Sequence, residues 1–272
     1  MLHTGGFPRA PLGPPDWANR KDRLAAFSRW RLNWEPGTRS EYHPTSAHWV
    51  LAELIERLTG TDYRDVVNER TAGALGLQKL RLGPPPSDQG DIASLALCGS
   101  EPTPDELMAA LGVSELPVTE VTDDALISFN DPAVRAVGVP GGGGVSTAHD
   151  LALYYQALLH NTGDLWKPDV LADVTSHVRN RLVDILYRAP ANRSLGLILA
   201  GDDGFSAVRG MGRTVSPGTF GHNGAGGQLA WADPATGLSF VYLTNGLDRN
   251  IIRLGRRGTA LGSLAALCAT PA

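Results

Sequence analysis

An α+β fold, with helices first and antiparallel strands last, is predicted for this chain of 272 residues. Three observations predict it. Apolar residues recur at three- and four-residue steps over the first two thirds, the period of amphipathic helices. From Ser194 onward the pattern changes to short β-prone runs separated by turn residues. Strands and helices do not alternate along the chain, as a doubly wound parallel sheet would require.

The opening, residues 1 to 20, reads as Pro/Gly-rich loop, and Lys21 to Trp30 as a short helix. After Pro44, the residues Ala47, Val50, Leu51, Leu54, Ile55 and Leu58 form one apolar stripe, and Gly60 stops that helix. A second helix is predicted from Asp62 to Gly76. Arg81 to Gly99 reads as loop with a short strand near Ile92 to Leu97. Thr103-Pro104-Asp105-Glu106 is a capping box with proline at the first helical position, opening a helix to Leu111. The glycines of Gly138 to Gly144 predict a flexible loop. Ser146 or Thr147 then caps a helix that reaches His160, and another helical stretch runs from Val170 to Tyr187. Ser194 to Ala200 is predicted as a strand. Thr219 to Asn223, Gln228 to Ala232 and Leu238 to Thr244 follow as a meander, with a turn at Asp233-Pro234-Ala235-Thr236-Gly237. Ile251 to Cys268 closes the chain as a glycine-weakened helix.

Composition narrows the function. A net charge of −4 argues against a nucleic-acid groove. No apolar run reaches the roughly 18 residues of a membrane span. Two cysteines, Cys98 and Cys268, cannot build a disulfide framework. The start of the chain lacks the basic head and apolar core of a signal peptide, which favours the cytoplasm. Only three of the 24 basic residues are lysines: Lys21, Lys79 and Lys167.

Several catalytic patterns fail on spacing. No H-E-x-x-H is present, and His43 and His48, five apart, do not share a helical face, so no metal or other cofactor is expected. The glycines 141 to 144 lack the Lys-Ser/Thr of a phosphate loop and read as a tight loop that lets backbone approach a neighbour. Gly144-Val145-Ser146-Thr147-Ala148 approaches a nucleophile elbow, which would make Ser146 and His222 an α/β-hydrolase pair. Ala148 stands where the sharp turn wants glycine, so Ser146 reads better as a helix cap.

Three segments in order carry a more specific pattern. Trp34-Glu35-Pro36-Gly37-Thr38-Arg39-Ser40-Glu41-Tyr42 runs into the amphipathic helix. Gly142-Gly143-Gly144-Val145-Ser146-Thr147-Ala148-His149-Asp150-Leu151 follows. Gly221-His222-Asn223-Gly224-Ala225-Gly226-Gly227 leads into the Asp-Pro turn and Phe240-Val241-Tyr242-Leu243-Thr244-Asn245. Together these resemble the serine β-lactamase and penicillin-binding-protein superfamily, most of all its class C β-lactamase, D-aminopeptidase and esterase branch. Leu2-His3-Thr4-Gly5-Gly6-Phe7-Pro8 also looks like a segment of that branch with residues lost.

The resemblance implies a β-lactamase/transpeptidase-like fold and acyl transfer through a serine nucleophile. Tyr42 matches the tyrosine that helps take the serine proton, although Pro44 stands where the motif has asparagine, a lean toward esterase. His222-Asn223-Gly224 matches the strand triad, with His222 able to donate to a substrate carbonyl or orient the tyrosine. Gly224 would let substrate lie against the strand, and the Ala225 N–H would supply half of an oxyanion hole. The implied partner is a small-molecule ester or amide. The family pairs its serine with a lysine one helical turn on, as S-x-x-K. Ala18, Gly76 and Asp164 stand three before the three lysines, so this chain contains no such pair.

The expectation is therefore one domain of that family over residues 1 to 272, incomplete at its N-terminus. Its helical region is about 21 to 190, its sheet region about 194 to 246 and its closing helix 250 to 268. The nucleophile helix and first strands are expected to be missing, which leaves an exposed sheet edge, possible self-association, and a chain that is inactive as it stands. A non-catalytic ligand-binding relative is the alternative.

Overall fold

A computed structural model describes residues 1–9, 15–116, 120–184 and 188–269. Its helical part begins with α1 (Arg20–Arg29), α2 (Ser46–Thr59) and α3 (Tyr63–Asn68), the last continued by a π-helical turn over Glu69–Gly73. Gly60 and Gly76 stop α2 and the α3 segment in the left-handed region, at φ of 71° and 69°. Arg23, buried on α1, makes two hydrogen bonds to the Glu56 carboxylate of α2 at 2.9 and 2.8 Å, which locks the two helices together.

Short strands β1 (Arg81–Leu82) and β2 (Ala96–Cys98) come next, then α4 (Pro104–Leu111), opened by the expected capping box at Thr103 and Glu106. Sequence reasoning missed α5 (Asp123–Ile127) and α6 (Pro132–Val137). Their caps are plain in retrospect: Thr122 accepts from Ala125 N–H, and Asp131, just before Pro132, accepts from Ala133 N–H. Five or six residues give too little periodicity to read.

β3 (Gly144–Val145) pairs with β1, and α7 (Ala148–His160) follows. The cap of α7 is Thr147, which accepts from Asp150 N–H, whereas the Ser146 hydroxyl donates to the Thr147 carbonyl at 2.9 Å. Thr147→Ala should therefore lower stability by about 1 kcal/mol in denaturant melts, and Ser146→Ala should change it little.

α8 (Pro168–Ser176) corrects the helix predicted from Val170 to Tyr187. Pro168 starts it two residues early, and it stops at Ser176 because the chain beyond is recruited into extended pairing. Asn180 bridges Arg193, and β4 (Val183–Asp184) pairs with β5 (Ala189–Pro190). The end of the predicted helix, residues 185 to 187, lies outside the described residues.

The main sheet is antiparallel, in the order β6 (Ile198–Leu199), β7 (Phe220–Gly224), β8 (Gln228–Asp233), β9 (Leu238–Tyr242). The strand predicted over Ser194 to Ala200 is shorter than expected. A tight reversal precedes it, with Ser194 N–H bonded to Leu197 O at 3.0 Å and Gly196 at φ 113°. β10 (Gly246–Asp248) was unforeseen; it pairs in parallel with β2 across some 150 residues of chain. α9 (Ile251–Ala266) closes the fold.

Alternation along the strands puts Ala230 and Ala232 on one face and Leu229 and Trp231 on the other. The first face, with Phe220 and Leu199, packs against Tyr155 and Leu158 of α7. The second, with Ile198 and Met211, lies under Ala265 and Ala266 of α9. A separate core of Trp17, Trp49, Tyr63, Phe129 and Val139 unites the helical part.

Candidate active site

The site forms where the chain before α2 meets the sheet. Ser40 bridges Asp184, and Asn180 donates from Nδ2 to Ser40 Oγ at 3.0 Å and to Leu2 O at 2.9 Å. Glu41 N–H donates to His3 O, and His43 N–H to His3 Nδ1, both at 3.1 Å. Tyr42 is thereby fixed between two anchored neighbours. Its ring lies 4.7 Å from the His3 ring and 5.7 Å from the His222 ring, centroid to centroid.

His222 is on β7, on the face shared with Phe220. β6 pairs only with Phe220 and Gly221, whereas β8 pairs with β7 as far as Gly224. The segment from His222 to Gly224 thus has one edge without a strand partner among the described residues. Beside it lies a cavity of about 390 Å³, lined by His3, Tyr42, His48, Leu51, Gly141 and His222 among others. Gly141 has a specific reason to be glycine, since a Cβ there would overlap the Pro44 carbonyl oxygen.

Both ring nitrogens of His222 are engaged. Nδ1 lies 2.6 Å from the Asn223 carbonyl, an acceptor, so the proton is assigned to Nδ1. Nε2 then accepts from Arg193 Nη1 at 3.2 Å. The Arg193 guanidinium also lies over the Tyr42 ring, 5.0 Å from its centroid. Burial first, and Arg193 second, hold the His222 pKa down at about 4. Burial likewise depresses His48 to about 4, with its Nδ1 donating to Pro44 O at 2.9 Å, and keeps His3 neutral well below the usual range.

The fold brings Tyr42 and His222 together across 180 residues of sequence and separates the rest of the expected set. Asn223 points to the other face of β7, where it lines a space of about 10 Å³ with Asp184, Arg193 and Arg209. Gly224 and Ala225 are exposed at the strand end, where a short 3-10 turn begins. Ser146 does not line the cavity, and the sheet is antiparallel; both facts remove the α/β-hydrolase pairing of Ser146 with His222. Among the described residues, no group of three or more His, Cys, Asp or Glu side chains is placed to hold a metal ion.

The beta-lactamase family model matches residues 1–261. The chain belongs to the beta-lactamase family. The family is one of serine hydrolases, esterase-like and β-lactamase-like. Esterase/beta-lactamase LipL of Mycobacterium tuberculosis is 29% identical over 256 residues, 88% of this chain and 54% of that protein. The chain thus spans about half the length of the curated relative it matches. Among solved structures, a family VIII carboxylesterase superposes with a TM-score of 0.72 at 24% identity, over 97% of this chain and 69% of that one. EstA from Arthrobacter nitroguajacolicus gives 0.71 at 21% identity, covering 99% and 72%. A penicillin-binding-protein homologue from Caulobacter crescentus gives 0.70 at 22%, covering 97% and 69%. These structural likenesses establish the fold, an antiparallel sheet flanked by helices, as the sequence predicts.

Sequence reasoning missed His3, His48 and above all Arg193. His3 was legible as part of the opening segment, and His48 as a residue one turn past Pro44. Nothing local marks Arg193, whose partners are 29 and 151 positions away.

The neutral imidazoles make stability pH-dependent. In the unfolded chain they take up a proton near pH 6.5. In the fold, His48 and His222 resist it until about 4. The unfolded state therefore holds more protons in this window, and stability falls as pH drops from 6.5 toward 4, by on the order of 3 kcal/mol for each imidazole. Thermal melts across the window check this; a flat Tm between these limits would contradict it.

Proposed function

We propose that this chain carries the tyrosine and strand walls of a carboxylesterase-like acyl-hydrolase cleft, and does not turn over substrate as it stands. The observation that carries the reading is the approach of Tyr42 to His222 beside a 390 Å³ cavity. That volume suits a small ester or amide. Pro44 in the tyrosine motif, and the esterase names of LipL and of the carboxylesterase neighbour, favour an ester. In this reading residues 1 to 272 form one domain, helical over about 21 to 190 and sheet over about 194 to 246.

The chemistry assigned to the residues is acyl transfer. Tyr42, acting as phenolate once its own proton has passed to the lysine of an S-x-x-K pair, would accept the proton of an attacking serine and return it to the leaving alkoxide. The attack forms an acyl-enzyme, and water then releases the acid. The free edge of His222 to Gly224 would receive the substrate, and Ala225 N–H would face the developing oxyanion. Of the two roles expected for His222, orienting Tyr42 fits the geometry better than donating to substrate, because both ring nitrogens are already bonded.

The side chains at hand support the inactive reading. The cavity lining contains no serine, threonine, cysteine or lysine among the described residues, and no S-x-x-K occurs in the 272 residues. Purified chain should show no covalent labelling by a fluorophosphonate. Labelling at any serine, lost on its replacement by alanine, would overturn the inactive reading.

A further inference from the structure

We propose that Arg193 is a positioning residue of this cleft, its guanidinium holding the His222 imidazole and the Tyr42 ring in fixed register through one hydrogen bond and one cation–π contact. Its importance for catalysis rests on the hydrolase reading; the geometry itself does not.

The backbone of Arg193 is anchored on two sides. Its N–H donates to Asn180 O at 3.1 Å, its carbonyl accepts from Asn180 N–H at 3.0 Å, and it bridges Ile198 just before the sheet. The residue is only 3% exposed. From this mount the side chain reaches His222 Nε2 at 3.2 Å and the Tyr42 ring at 5.0 Å. A planar guanidinium can donate along its edge while offering its face to an aromatic ring, which an ammonium cannot do.

The arrangement determines the state of His222. Its Nδ1 proton is committed to Asn223 O, so Nε2 presents a lone pair. Arginine stays protonated, so it can only donate to that lone pair. Protonating Nε2 would bring two donors face to face. His222 is therefore held as a neutral spacer between Arg193 and Tyr42, and it cannot carry the proton that Tyr42 takes from a nucleophile. The other groups facing His222 are Tyr42, His3, His48 and the Met1 α-amino group around the cavity and Tyr155 from α7; burial keeps His3, His48 and Tyr155 uncharged near neutrality, and burial with Arg193 lowers the Met1 amine pKa. Arg193 is the permanent charge among them.

Long-range proton–nitrogen correlation spectra of the histidine rings test this on the chain as it exists. In the wild type, His222 should read as the Nδ1–H tautomer and titrate near 4. In Arg193→Met, the tautomer should become mixed and the titration should rise by about one pH unit, still below the ordinary 6.5 because burial remains. His48, less exposed to Arg193, should move less. Arg193→Lys should hold His222 near its wild-type titration by charge while shifting the Tyr42 ring resonances, since the stacked plane is lost. It also serves as the measurable variant should Arg193→Met fail to fold. Wild-type His222 tautomer and titration in Arg193→Met, or unmoved Tyr42 resonances in Arg193→Lys, would overturn the proposal. The readout needs no turnover, so the failure of the hydrolase reading and the failure of this one are separable.

Discussion

Hydrolysis of a nitrophenyl ester by the purified chain is expected to equal the buffer rate. A chimera that places a segment with a serine and a lysine one helical turn apart ahead of residue 1 is expected to exceed that rate by about 10³-fold or more. The expectation has a physical basis. Removing the nucleophile from a serine hydrolase costs on the order of 10⁶ in kcat, because nucleophile and base act as a unit. On the proposed reading, a cleft with Tyr42 and His222 in place but no serine would keep binding and lose the chemistry. Restoring the pair should recover part of that factor, limited by how well the grafted helix seats in the cavity. Tyr42→Phe in the active chimera should then lower kcat with little change in KM, since the phenol acts on the proton in flight. Ester turnover by the unmodified chain, or a folded chimera whose activity ignores Tyr42→Phe, would overturn the assignment.

The second large effect is structural. Gly141→Ala should destabilise the fold by about 3 kcal/mol, the upper range for forcing extra volume into a packed site. A Cβ at Gly141 overlaps the Pro44 carbonyl oxygen, and that oxygen also holds His48 Nδ1. Backbone cannot give way as the end of a side chain can, so the strain must spread to the start of α2 and to Tyr42. Gly144→Ala is the control, since a Cβ there meets nothing within 4 Å. Thermal melts should separate the two variants, with a Tm lower by roughly 10 °C for Gly141→Ala and a stability within about 0.5 kcal/mol of wild type for Gly144→Ala. Equal stability of the pair would mean that the loop does not pack as described.

The helices that were legible in the sequence are those with long stripes or explicit caps. α2 shows six apolar positions at helical spacing and a left-handed glycine stop. α4 has its capping box, and α7 its threonine cap. The meander was legible because Asp233 to Gly237 is a turn by its own chemistry. Asp233 carboxylate accepts from Ala235 N–H, and its carbonyl from Gly237 N–H. What failed was pairing between remote segments. The parallel bridge of β2 to β10, and the extended run that ends α8 at Ser176, depend on partners that no local pattern announces.

The candidate site divides along the same line. Tyr42 and His222 stood out because each sits in a local motif. The amino-acid order alone also settled that no serine precedes a lysine at helical spacing, since that is a statement about neighbours one turn apart. Arg193, the neutrality of His222 and the exposure of Gly224 and Ala225 required the folded chain. They depend on which groups meet after α2, β7 and the bridge at Asn180 have packed, and on the loss of water that follows. Local order encodes turns, caps and helix faces through interactions a few residues long. Charge state and orientation in a cleft arise from distances that only the tertiary fold sets.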